Sequence, residues 1–309
     1  MRRPFMVLTL IFFIITGVGC TGASDTVVNQ ETMGEQPIVY SSFYPLYDFA
    51  KQIGGSKVIV KSIVPLGAEP HGYEPSARNV TDIAEADVLF YIGMGLEGWI
   101  DKVITSIDSN KLVVRQLSDY VETSGAVNHD DTHLDGKADP HIWLDPVRAK
   151  KMVKVIADTL VSVDPENEKY YRANYKTYAA KLDELHQDFK DVLRNSNGAI
   201  LITTHDAFGY LANRYGLETY SIMGISANAE PTSGQLVRLV NLAQEHGVKA
   251  IYSEELLNSQ ASQVLAQEVK VEVLSLSSAA GLTKEQLAEG QDYISLMYQN
   301  LNNLKRLTD

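Results

Sequence analysis

Three of the seven histidines in this chain of 309 residues stand where metal chemistry could be done. His71 lies in PLGAEPHGYEPSARN, just past the apolar run KVIVKSIV. His141 lies in KADPHIWLDPVRA, stiffened on either side by an Asp-Pro step, and His205 follows the apolar run AILITT in TTHDAFGYLANRYGL. A neutral imidazole offers a nitrogen lone pair to a borderline transition metal. The three lie 70 and 64 residues apart, so there is no local zinc-finger spacing and only the fold could gather them. His186, inside a helical stretch, and His246, before Gly247 at a helix end, read as structural. His129 and His133 sit in NHDDTHLDGKADPH, which suits a weak accessory metal collector and a solvated acidic loop equally.

A second motif with chemical meaning is LFYIGMGLEGW, residues 89–99, where Gly93, Gly95 and Gly98 spell G-x-G-x-x-G. Such a turn can cradle a pyrophosphate at a helix N-terminus. The dinucleotide fingerprint, however, belongs after the first strand of its unit, with an acidic residue about 20 positions on. Here it follows the third strand-like run, and Asp119 and Glu122 lie beyond the next one. The glycines therefore read as a strand-to-helix turn with Trp99 packed behind it.

The elements that would position these residues alternate regularly. Strand-like runs IVYSSF, KVIVKSIV, DVLFYIG and KLVVRQL are separated by helical stretches such as 75–86 and 96–107. The pattern resumes at residue 199 with AILITT, LETYSIM, AIYSE and VEVLSL. Alternation of this kind predicts two parallel-sheet α/β lobes, and in such sheets ligands bind beyond the strand C-termini. Between the lobes, residues 166–195 contain no Gly or Pro and carry Tyr171, Tyr178, Leu182, Leu185 and Phe189 at helical spacing. They predict one rigid connecting helix about 45 Å long, with lobes over 37–165 and 198–309 and the link over 166–197.

The N-terminus reads as an export signal: Met1-Arg2-Arg3, then the apolar run PFMVLTLIFFIITGVG, then Cys20, the only cysteine. GVGC looks like a lipoprotein signal, although Gly17 stands where Leu is usual. Residues 1–19 are expected to be removed, Cys20 to carry lipid, and 20–36 to form a flexible polar tether. With one cysteine there is no internal disulfide. The net charge of −12 argues against nucleic acid and is compatible with a cationic ligand.

The stretches EPHGYEPSARNVTDIAEADVLFYIGMGLEGW, DPHIWLDP, LITTHDAFGYLANRYGL and ISANAEPTSGQL together make the chain resemble a known family. It is similar, from about residue 38 to the C-terminus, to the metal-binding solute-binding lipoproteins of bacterial zinc and manganese ABC importers (cluster A-I). The resemblance implies two lobes on a backbone helix, one metal in the cleft between them, and His71, His141 and His205 as its ligands. Many members supply a carboxylate as fourth ligand before GLTKEQ; this chain has Ser277, Ser278, Ala279 and Ala280 there. Water, Glu69 or Glu254 is then left for that position.

Three imidazoles without an assured carboxylate favour Zn²⁺ over Mn²⁺, which prefers more oxygen ligands. The expected partners are a membrane ABC permease, the metal ion, and the membrane itself through the lipid, with the protein a monomer on the outer face of the cell membrane or in the periplasm. Ring orientation would come from Glu74, Asp145, Asp206 or Glu230. Two other classes compete. A zinc hydrolase could use the same histidines with Asp206 or Glu254 as base, but no H-E-x-x-H or serine elbow is present. An adhesion lipoprotein would need no metal.

Overall fold

The computed structural model describes residues 35–107, 111–123, 138–225, 227, 231–258 and 260–308. Residues 36–309 form one compact unit, built on two four-stranded parallel sheets. The first combines β1 (Ile38–Ser41), α1 (Tyr44–Gly54), β2 (Ile59–Ser62), α2 (Ala77–Ala84), β3 (Val88–Tyr91), α3 (Ile100–Ser106) and β4 (Val113–Gln116). Two helices then cross the molecule, α4 (Pro146–Val163) and α5 (Glu168–Leu193). The second sheet combines β5 (Ile200–Thr203), α6 (Gly209–Tyr215), β6 (Glu218–Ser221), α7 (Ser233–Glu245), β7 (Ala250–Ser253), α8 (Gln260–Val269) and β8 (Glu272–Ser275). Helices α9 (Lys284–Ala288) and α10 (Tyr293–Leu304) close the chain.

The strand orders are 2-1-3-4 and 6-5-7-8, so each sheet reverses direction of build once, between β1 and β3 and between β5 and β7. These switch points leave a crevice at the strand C-termini. In the first sheet the crevice is plugged by the buried Glu97. Its carboxylate accepts from Ser42 Oγ at 2.7 Å and from the backbone N–H groups of Ile92 and Gly93 at 3.0 and 2.9 Å. That is the structure of the glycine motif: Gly93 has φ +84° and its missing Cβ would lie 2.6 Å from the Gln116 side chain. A protein carboxylate occupies the turn, and Trp99 is buried behind it. In the second sheet the crevice holds His205 after β5 and Glu254 after β7.

All eight strand-like runs form strands; α2 and α3 start later than the apolar pattern suggests, and side chains cap α2 and α4. Ser76 and Asn79 make a reciprocal capping box that starts α2 at Ala77. Asp145 accepts from the Val147 N–H and starts α4 at Pro146. The connecting helix α5 has 26 residues, about 39 Å, and follows a single 3₁₀ turn at Pro165–Asn167. It buries Tyr171, Tyr178, Leu182, Leu185, Phe189 and Leu193 on one face.

One core runs through both lobes and α5, while smaller clusters fill the outer faces of the two sheets. Phe49 of α1 meets Tyr178 of α5 at 6.1 Å and Tyr293 of α10 at 4.8 Å, both edge to face. Phe43 meets Trp143 at 4.7 Å. The lobes are joined by core packing, not by a linker alone, and packing of this density resists hinge opening.

Candidate metal centre

The three histidines separated by 70 and 64 residues meet at one point. His71 Nε2 lies 3.0 Å from His141 Nε2, and His205 Nε2 lies 3.3 Å from His141 Nε2. One ligand atom from each falls within 4.8 Å of the others, and no other such grouping occurs among the described residues. Tetrahedral zinc with Zn–N bonds of about 2.0–2.1 Å separates its nitrogens by about 3.3 Å, so this spacing fits the ion. His71 arrives on the β2–α2 connection, His141 on the segment before α4, and His205 from the end of β5. His141 and His205 are buried and His71 is half-buried.

Two rings are oriented by carboxylates on their far side. Asp139 Oδ1 accepts from His141 Nδ1 at 2.7 Å and also from the His141 backbone N–H at 2.9 Å. Glu254 Oε1 accepts from His205 Nδ1 at 2.5 Å. Placing the proton on Nδ1 leaves Nε2 with a free lone pair aimed at the common point. The second oxygens, Asp139 Oδ2 and Glu254 Oε2, are buried without a hydrogen-bond partner in the protein. Two buried carboxyl groups beside three imidazoles suit a dication, since their charge once ionised must be compensated.

Electrostatics separate the histidines. Burial, reinforced by the neighbouring His141 and His205, pushes His71 down to about 2. Burial likewise holds His141 well below the usual imidazole range. For His205, burial pulls down, but the Glu254 charge and hydrogen bond, with Glu69 and Asp206, outweigh it and the net direction is up. Burial raises Asp139 to about 7 and also raises Glu69.

Ring orientation thus differs from expectation. Glu74 is exposed. Asp145 is engaged by Arg148 and Arg214, and Asp206 acts on His205 through its charge. Glu230, Cys20, His129 and His133 lie outside the described residues. Sequence reasoning passed over Asp139 as an orienting group, although D-P-H places a carboxylate two residues before a histidine. Glu254, weighed as a ligand or a base, accepts from His205 Nδ1 through Oε1. His186 bonds Tyr215 Oη at 3.1 Å and His246 ends α7. In the segment Ser277–Ala280, the Ser278 carbonyl accepts from Trp143 Nε1 at 2.7 Å. The Trp143 ring lies 5.1 Å from that of His141.

A bilobed α/β fold with an interlobe histidine cluster is the architecture of a metal-carrying solute-binding protein. The chain belongs to the family described as zinc-uptake complex component A, periplasmic, which it matches over residues 39–307. It is 36% identical over 295 residues to the high-affinity zinc uptake system protein ZnuA of Bacillus subtilis, covering 93% of this chain and 92% of that protein. It is 33% identical to the zinc-binding lipoprotein AdcA of Streptococcus pneumoniae over 91% of this chain, but spans only 58% of that longer relative. The crystal structure of the Zn(II)-bound ZnuA-like domain of that AdcA superposes with a TM-score of 0.75 at 33% identity, covering 89% of this chain and 100% of that domain.

Proposed function

We propose that His71, His141 and His205 hold one Zn²⁺ ion as cargo between the lobes, for delivery to the permease of an ABC importer. The protein is a zinc-binding component of an uptake system that works outside the cytoplasm, and not an enzyme. The observation that carries the site assignment is the convergence of the three Nε2 atoms, at 3.0 and 3.3 Å around His141. We assign the fourth position to water. Glu69, whose Oε1 lies 4.0 Å from His71 Nε2, is the carboxylate within reach, whereas Glu254 spends Oε1 on His205.

We further propose that residues 1–19 are a signal, that Cys20 carries lipid, that 20–36 tether lobes over 37–165 and 198–309 linked through 166–197, and that the protein is a monomer. The lipid would keep cargo protein and permease in one plane and raise their effective concentration.

In mechanism, the chain's own groups do three things. Asp139 and Glu254 fix the ring tautomers, the same buried carboxyl groups offset the ion's charge as they ionise, and the core between the lobes holds the ligand spacing. X-ray absorption on the zinc-loaded protein tests the assignment. Three nitrogen ligands and one light fourth atom at about 2.0–2.1 Å are expected; fewer than three histidine-type scatterers would refute it.

A further inference from the structure

Two of the three ligands come from opposite lobes, and a set of side chains on α6 fastens them together. Tyr210 is fully buried on α6, five residues after His205. Its Oη lies 2.9 Å from the carbonyl of Asp139 and 2.9 Å from that of Thr123, the one hydroxyl proton shared between them. Asp139 in turn holds both the backbone N–H and the Nδ1 of His141. One turn further along α6, Arg214 grips Asp145 through Nε at 3.1 and 3.0 Å and through Nη2 at 2.6 Å. Asp145 is wholly buried, four residues past His141, and caps α4.

Arg148 of α4 closes the ring. It bonds Asp145, donates from Nε to the Glu122 carbonyl at 2.9 Å, and lays its guanidinium 4.6 Å above the Tyr210 ring. The segment carrying His141 is therefore held at both ends, at Asp139 and at Asp145, by the helix that begins four residues after His205. None of these groups reaches the ligand nitrogens themselves.

We infer that Tyr210 and Arg214 are positioning residues of the metal site: they lock His141 and His205 into one preformed pair across the lobes. A preformed pair spares the ion the cost of ordering its ligands, and loosening it shows first as faster release. This inference rests on the three-histidine assignment made above.

The test is the rate at which zinc leaves the full-length protein into excess chelator, measured with its thermal stability. Variants are Tyr210→Phe, Arg214→Ala, Arg214→Lys and, as control, Tyr171→Phe. The control removes the bond from Tyr171 Oη to Asp164 at 2.5 Å, at the far end of α5. Tyr210→Phe keeps the ring under Arg148 and deletes only the hydroxyl. We expect it and Arg214→Ala to release zinc about 5–20-fold faster. Arg214→Lys should fall between, because a lysine keeps the charge but not the forked grip. Tyr171→Phe should stay within about twofold whatever its melting temperature. Tyr210→Phe releasing zinc at the wild-type rate would overturn the inference, as would Tyr171→Phe accelerating release equally. His141→Ala in the same assay separates the two claims. If it keeps stoichiometric zinc, the three-histidine site is wrong; if it loses zinc while Tyr210→Phe behaves as wild type, only the positioning role is wrong.

Discussion

In the proposed site, His205 is the histidine whose proton would compete with the metal. His71 and His141 are held neutral by burial well below physiological pH, so their lone pairs are always available. His205 is raised above the ordinary imidazole value, and as pH falls through that raised value a proton occupies Nε2. Zinc affinity should then weaken with acid from a higher pH than a normal imidazole would give, and log K should change by about one per pH unit, not three. Equilibrium titrations between pH 5.5 and 8 check this; a slope near three would contradict it. Glu254→Gln removes the main raising charge and leaves burial dominant, so the fall should move to lower pH. At this scale the meeting of His71, His141 and His205 was legible from their loop positions, together with the family motifs around them. Their orienting partners were only half legible. Asp139 was within local reach of His141, but Glu254 approaches His205 from β7, 49 residues away, and nothing local announces that contact.

At the scale of elements, the strands were legible because buried parallel strands are short apolar runs. The start of α2 was misjudged because capping by Ser76, not periodicity, decides it, and that of α3 because Glu97 turns back onto the Ile92 and Gly93 N–H groups. The connecting helix was legible from its uninterrupted apolar face, yet its buried acid contact was not. Asp48 of α1 lies against α5, accepting from Tyr178 Oη at 3.2 Å, and burial followed by the Asp292 charge raises it to about 6. A raised carboxyl costs stability once ionised, so the fold should lose stability as pH climbs from about 4 to 6 and then level off. Asp48→Asn should stabilise the protein by about 2–3 kcal/mol at pH 8 and have no effect below pH 4; chemical denaturation at the two pH values decides it. Gly281 marks a second close approach. An added Cβ would sit 2.7 Å from the Leu66 carbonyl, beside the bond from Leu282 N–H to the same oxygen at 2.7 Å. Gly281→Ala should cost about 1–3 kcal/mol, read as a lower denaturation midpoint.

Over the whole molecule, the continuous core through both lobes and α5 opposes lobe closure, so binding should be a local event. Solution scattering curves of metal-free and zinc-loaded protein should superimpose. Exchange protection should change only near 65–76, 138–145 and 204–208; a marked fall in radius of gyration on loading would mean the lobes close. Among the described residues no helix is long and apolar enough to cross a membrane, and the charge of −12 keeps the surface suited to a cation. The most direct measurement is competition: chelator-stripped full-length protein offered equal Zn²⁺ and Mn²⁺, with bound metal counted by mass spectrometry beside His205→Ala. One zinc per chain, lost in the variant, is the predicted result. Bound manganese would contradict the choice of zinc, and zinc retained by His205→Ala would contradict a site built on these three histidines.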